Sequence, residues 1–491
     1  MLFNSQEFLI FFPIVVLVYY VIPKKIKYIW LLITSYYFYM CWNVKYVILI
    51  AFSTIITWLS GILLEKTEEK FKKNLIVVLS FGINLSILGF FKYLDFVLAN
   101  INGVASLFGF PVIEKPFDFL LPVGISFYTF QALSYTMDVY RKEIKAEKNI
   151  FKYALFVSFF PQLVAGPIER SKNLLMQIED LDKKILFNFD KVVSGLWIML
   201  FGFFQKIVIA DRIAILVDTV FDSWELYGGV ELLIAAFSFS LQIYCDFASY
   251  STIAIGAAKI LGFELMENFD TPYFALNIKD FWRRWHISLS TWFKDYLYIP
   301  LGGNRKGKVR TYINLMITFL VSGLWHGADW TYVIWGGIHG VYQIVESELN
   351  KLLHFFKISF KDSFGLKCLQ MLRTFLLTSF AWIFFRAETL SQAIGFIKNI
   401  FLKFNLSSFV PESLFSMGLS AMEMHILFFA LCFMFFVSIM KYIRKQSFDV
   451  FMKEQCFMFQ CMVAVAVFAY ILLFGIYGPG YDASQFIYFQ F

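Results

Sequence analysis

Five histidines, His286, His326, His339, His354 and His425, carry most of the proton chemistry available to this chain. A neutral imidazole beside a hydroxyl can take its proton near physiological pH, which is general-base work. His326 is the sharpest candidate. It stands in Ser-Gly-Leu-Trp-His-Gly-Ala-Asp-Trp, after an apolar run long enough to carry it below the lipid headgroups. An ionisable group at that depth is costly unless it is paired or lines a wet cavity. A core histidine bonded to a carbonyl is the competing reading. His354 and His425 fall near predicted span ends and read as interfacial polar tips.

The spacing excludes several other chemistries. His286 and His326 are 40 residues apart and His339 is 13 further on, so no pair has the three- or four-residue interval that puts two metal ligands on one helix face. No metal is expected. Glycine-rich phosphate loops and the G-x-S-x-G elbow are absent. The six cysteines form no C-x-x-C pair, lie in or beside apolar stretches, and read as small core residues.

These histidines sit in a chain of 491 residues that is 59% hydrophobic and 16% charged, with 63 Phe, 26 Tyr and 12 Trp. Its mean hydropathy is +0.65. A water-soluble protein of this length has no interior large enough to hide that surface, so the chain reads as one integral membrane domain over 1–491. The formal charge of +7 comes from short basic clusters between apolar runs, the positive-inside pattern, and does not point to nucleic acid. The first run, 8–22, has its lysines after it, so it reads as an uncleaved span with an external N-terminus.

A bilayer-crossing helix needs about 20 mostly apolar residues. Candidates lie at 8–22, 29–41, 47–64, 75–91, 119–140, 192–210, 230–261, 312–325 with 332–345, 369–385, 425–440 and 457–477. Together they give about 10 to 12 crossings and an external C-terminus. The 230–261 stretch reads as one long or two short helices. Residues 154–164 are too few to cross and run into Pro161 and Gly166-Pro167, so a broken or re-entrant helix is expected there. Residues 264–310 mix Trp282, Trp285 and Trp292 with cations and read as an interfacial helix and cytoplasmic loop. Gln131 and Asp138 could face one cavity or glue helices together, and Glu169 and Arg170 read as a local pair.

Three segments then become specific: Phe-Phe-Pro-Gln-Leu-Val-Ala-Gly-Pro-Ile-Glu-Arg at 159–170, the stretch 268–307 containing Phe-Trp-Arg-Arg-Trp-His-Ile-Ser, and Leu-Trp-His-Gly-Ala-Asp-Trp within 324–340. Taken in order, with the N-terminal 1–21, they resemble the membrane-bound O-acyltransferase family in its bacterial polysaccharide-modifying branch. The resemblance implies an all-α polytopic ring with re-entrant helices and a thin waist containing a tunnel. It puts the catalytic histidine on His326 and a second on His286. Arg283, Arg284, Trp285, Ser288, Trp325, Asp329 and Arg305 become the expected substrate-binding positions, the cations meeting a donor's phosphates. The tail 478–491 resembles a C-terminal tyrosine motif of such systems, with Tyr488 at the acyl-accepting position; composition alone favours an interfacial aromatic anchor.

The resemblance further implies an acyl thioester donor, acetyl-coenzyme A or an acyl carrier protein, and a polysaccharide acceptor. An extracellular SGNH-type transferase is the expected partner and the cytoplasmic membrane the expected location. Acetyl is favoured over D-alanyl. A transporter for an activated acyl species, using Asp246, Asp329 and the histidines, is the alternative, and a scaffold for an extracellular enzyme a third reading.

Overall fold

The computed structural model describes residues 1–115, 121–164, 166–183, 187–357, 361–406 and 415–478. Helix is the regular structure of these residues, with no strand among them, and a helix satisfies its own backbone polar groups where lipid offers no other partner. Among the described residues seven helices are long and apolar enough to cross a membrane: Val44–Lys66, Lys70–Leu107, Phe189–Asp222, Gly229–Ile260, Phe364–Arg386, Ala421–Arg444 and Phe457–Phe474. This is fewer than the sequence reading gave. Other apolar runs expected as separate spans form helices too short to cross, such as Lys27–Met40 with 14 residues, or too polar, such as Lys308–His326. The 230–261 stretch is a single 32-residue helix.

The described residues divide into two compact units, 1–195 with 254–266, and 196–253 with 267–491. In the first, α1 (Gln6–Val21) packs on α2 (Lys27–Met40), and α3 (Val47–Lys66) and α4 (Lys70–Leu88) pack on each other and on α5 (Ile125–Tyr140). Small and polar side chains join them, as in most membrane helix pairs. Ser53 donates to Asn84 at 2.5 Å, Tyr153 to Thr57 at 2.7 Å, and Gly61 lets Tyr135 lie where a Cβ would be 2.5 Å from its hydroxyl.

The expected break is present. Helix α6 (Ile150–Ser158) stops at Phe159 and a single turn, α7 (Phe160–Leu163), follows. The freed backbone groups are taken up by side chains: Ser35 Oγ accepts from Phe160 N at 3.1 Å, and Gln131 and Gln162 both donate to Phe156 O, at 2.6 and 2.9 Å. Asp138 accepts from Ser171 at 2.5 Å. Gln131 and Asp138 therefore act as glue between α5 and the broken segment. Glu169, fully buried, accepts from Met266 N at 2.5 Å and from Asn173 at 2.6 Å.

In the second unit, α8 (Ile278–Arg284) and α9 (Ile287–Phe293) precede the hairpin of α10 (Lys308–His326) and α11 (Trp330–Phe355), with α12 (Phe364–Arg386) packed beside α11. Two corrections to the sequence reading belong here. Trp282, Trp285 and Trp292 are 8%, 1% and 6% exposed, so these three tryptophans are core residues and not the face of a membrane-surface helix. Only Cys245 among the six cysteines is buried; the other five are exposed.

Candidate active site

His326 owes its position to glycine. It is the last residue of α10, and α11 returns immediately because Asp329 caps it, Oδ1 accepting from Thr331 N at 2.8 Å. The two helices approach closely. A Cβ on Gly336 would lie 2.2 Å from Phe319 O, one on Gly323 2.3 Å from Tyr332 O, and one on Gly327 2.2 Å from the Tyr332 ring. Trp-His-Gly-Ala-Asp-Trp is thus a helix end, a tight link and a cap. The same fact changes the reading of Asp329, whose carboxylate is occupied in capping.

His286 is placed by a strained backbone. It stands between α8 and α9 in the left-handed region, φ 44° and ψ 54°, a conformation few non-glycine residues adopt. Ile287 N donates to Asn268 O at 3.0 Å and Trp285 N to Phe281 O at 2.8 Å, holding the chain on both sides. The Asn268 side chain reaches the ring, Oδ1 lying 3.1 Å from His286 Nδ1. Burial pushes the imidazole down to about 3, so it is neutral across the physiological range.

The two rings share one aromatic enclosure. Their centroids are 6.2 Å apart, with Trp325 at 5.8 Å from His286 and 5.0 Å from His326. Phe247 stands 4.6 Å from His286, and Trp335 4.9 Å and Phe385 5.4 Å from His326. Both histidines are buried, at 0% and 3% exposure. A third, His339, continues the row: it is 5.2 Å from Trp335 and fully buried, and Trp282 Nε1 donates to its Nδ1 at 3.2 Å. An indole nitrogen only donates, so the neutral His339 ring carries its proton on Nε2.

Of the expected binding positions, Trp285, Ser288 and Trp325 are buried with these rings; Ser288 Oγ donates to Asn268 Oδ1 at 2.9 Å. Arg284 is tied to Asp280 at 3.1 Å and Asp270 at 3.6 Å and braces α8. Arg283 and Arg305 are exposed and stand outside the aromatic enclosure. Tyr488 lies outside the described residues. Spacing did not single out Asn268, Trp335 and Trp382, and it assigned His339 no role; all four are buried about the histidines. A polar asparagine inside the 268–307 motif was the one visible signal. No group of three or more His, Cys, Asp or Glu is placed to hold a metal among the described residues. Two buried imidazoles side by side, at least one of them neutral, can move a proton and stabilise charge in a nearly dry site.

A helical, multi-pass membrane protein with a buried histidine pair is the class that fold and site define. The membrane-bound O-acyltransferase family model matches residues 18–385, and the chain belongs to that family. It is an O-acyltransferase. It is similar to a probable alginate O-acetylase of Pseudomonas putida, 40% identical over 80% of this chain and 79% of the relative. A peptidoglycan O-acetyltransferase of Helicobacter pylori is 37% identical over 82% and 80%. A teichoic acid D-alanyltransferase of Bacillus subtilis is 29% identical over 46% and 59%.

Proposed function

We propose that this protein transfers an acetyl group from a cytoplasmic thioester, across the membrane, towards a hydroxyl of a cell-envelope polysaccharide, with His326 and His286 as the catalytic pair. The observation that carries the reading is the 6.2 Å approach of two buried imidazoles drawn from separate motifs. His326 takes the hydroxyl proton as the oxygen attacks the thioester carbonyl. The tetrahedral oxyanion collapses, the carbon–sulfur bond breaks, and the proton passes from the imidazolium to the thiolate.

The similarity to two O-acetyltransferases over about four-fifths of the chain supports acetyl and a polysaccharide acceptor. Exposed Arg283, Arg305 and Lys306 suit the phosphates of coenzyme A or an acidic carrier protein on the cytoplasmic side. Tyr488 serves as acyl relay to an extracellular SGNH-type transferase, with both termini outside the cytoplasmic membrane.

Purified protein in detergent, given labelled acetyl-coenzyme A, tests this. His326→Ala is expected to abolish transfer while the protein still runs as a monodisperse peak. Retained transfer would overturn the catalytic assignment. Tyr488→Phe keeps the ring and removes the nucleophile, so polymer acetylation that survives it would end the relay. Transport of an acetyl species without covalent transfer would favour the transporter alternative.

A further inference from the structure

The hydrogen bonds around His286 determine which of its nitrogens carries the proton. Three groups converge on one side-chain atom of Asn268: His286 Nδ1 at 3.1 Å, Ser288 Oγ at 2.9 Å and Ser288 N at 3.3 Å. A backbone N–H can only donate, so that atom is the carbonyl oxygen of the amide and not its nitrogen. The other end of the amide agrees, since Nδ2 donates to Ser251 Oγ at 3.1 Å. An amide oxygen accepts and never donates. Ser288 Oγ also lies 3.5 Å from His286 Nδ1, but its one proton is given to Asn268, so in the neutral imidazole the nitrogen facing the amide oxygen is the N–H.

We propose that Asn268 is a positioning residue that locks His286 in the Nδ1–H tautomer, so that Nε2 enters the reaction as an acceptor. His286 then receives an O–H or N–H from the bound substrate. It does not donate to the oxyanion. The arrangement is built, not incidental. Asn268 is 1% exposed, its backbone carbonyl also holds Ile287 N, and it thereby fixes the left-handed turn as well as the ring. His339, 57 residues from its indole donor, is set the opposite way, with the proton on Nε2. The fold thus holds two buried imidazoles in opposite tautomers by two different partners.

The proposal rests on the acyl-transfer reading for its catalytic meaning but not for its structural content, and two measurements separate them. Nitrogen-15 spectra of the full chain, labelled at histidine and held in detergent micelles, report the tautomer directly. The resonances assigned through His286→Gln are expected to show a protonated Nδ1 and an unprotonated Nε2. A protonated Nε2 in the wild-type protein would overturn the proposal without any variant having to fold. Kinetically, Asn268→Leu is expected to lower kcat for acetyl-coenzyme A on the order of 100-fold with KM little changed. Asn268→Asp, which keeps acceptor oxygens in place, is expected to restore most of it. Wild-type kcat in Asn268→Leu would also overturn the proposal. Full activity in His286→Gln and His326→Ala would instead defeat the enzyme reading and leave the tautomer result standing.

Discussion

At Glu169 a single carboxylate is buried without an exposed face, and burial pushes its pKa up to about 7 from the ordinary carboxylate range. Backbone and amide donors from Met266 and Asn173 favour the charged form but do not outweigh desolvation. The sign follows from linkage. Between about pH 4.5 and 7 the unfolded chain has already released the proton that the folded chain keeps, so stability falls as pH rises through that window. The shift corresponds to roughly 3 kcal/mol. Glu169→Gln removes the titration, so its thermal midpoint in detergent is expected to vary less with pH from 5 to 8 than that of the wild type. An identical profile would show that the carboxylate is solvated in the folded protein.

Helix elements were legible wherever the cause was local. Pro161 and Gly166 mark the broken α6–α7 segment because proline and glycine act on their own turn, whereas the apolar run 230–261 left one long or two short helices open and is a single helix of 32 residues. What spacing did not show was burial of Trp282, Trp285 and Trp292. Trp282 packs on Trp335 and Trp285 on Trp382, residues tens of positions away, and amphipathic composition alone is equally compatible with a bilayer surface. Asn268 and His339 were missed for the same reason. The motif glycines, by contrast, have a mechanical meaning that can be tested. Gly336→Ala puts a methyl 2.2 Å from Phe319 O and forces α10 from α11, with an expected cost of about 1–3 kcal/mol or more and lost transfer, since His326 ends α10. Gly82→Ala in α4, where nothing lies within 4 Å, is expected to leave the thermal midpoint unchanged or slightly raised.

For the whole molecule the dominant solvent is lipid. The Phe457–Phe474 helix has a mean hydropathy of 2.4 over its most apolar stretch, of which only 11% is buried, so much of its surface is left for the acyl chains. Phe468 is 55% exposed and stands near the middle of that helix. Phe468→Arg is expected to cost about 2.5–3.5 kcal/mol of insertion, read as a lower membrane-integrated fraction in a glycosylation-tag or fractionation assay. Phe468→Leu should match wild type. The same helices make a useful contrast with the buried cluster of Lys206, Asp211 and Asp246, where bridges of 2.8 and 2.5 Å let charge exist inside two spanning helices.

Cys245 alone is packed, its Sγ 3.3 Å from Met434 Sδ, while the other five cysteines are exposed. A thiol-free version of the chain therefore asks for a volume-matched choice at one position only, and alanine there removes little more than one sulfur atom. A single cysteine introduced at the exposed position 305 would then react with a membrane-impermeant maleimide from whichever compartment it faces, giving sidedness without a second structure.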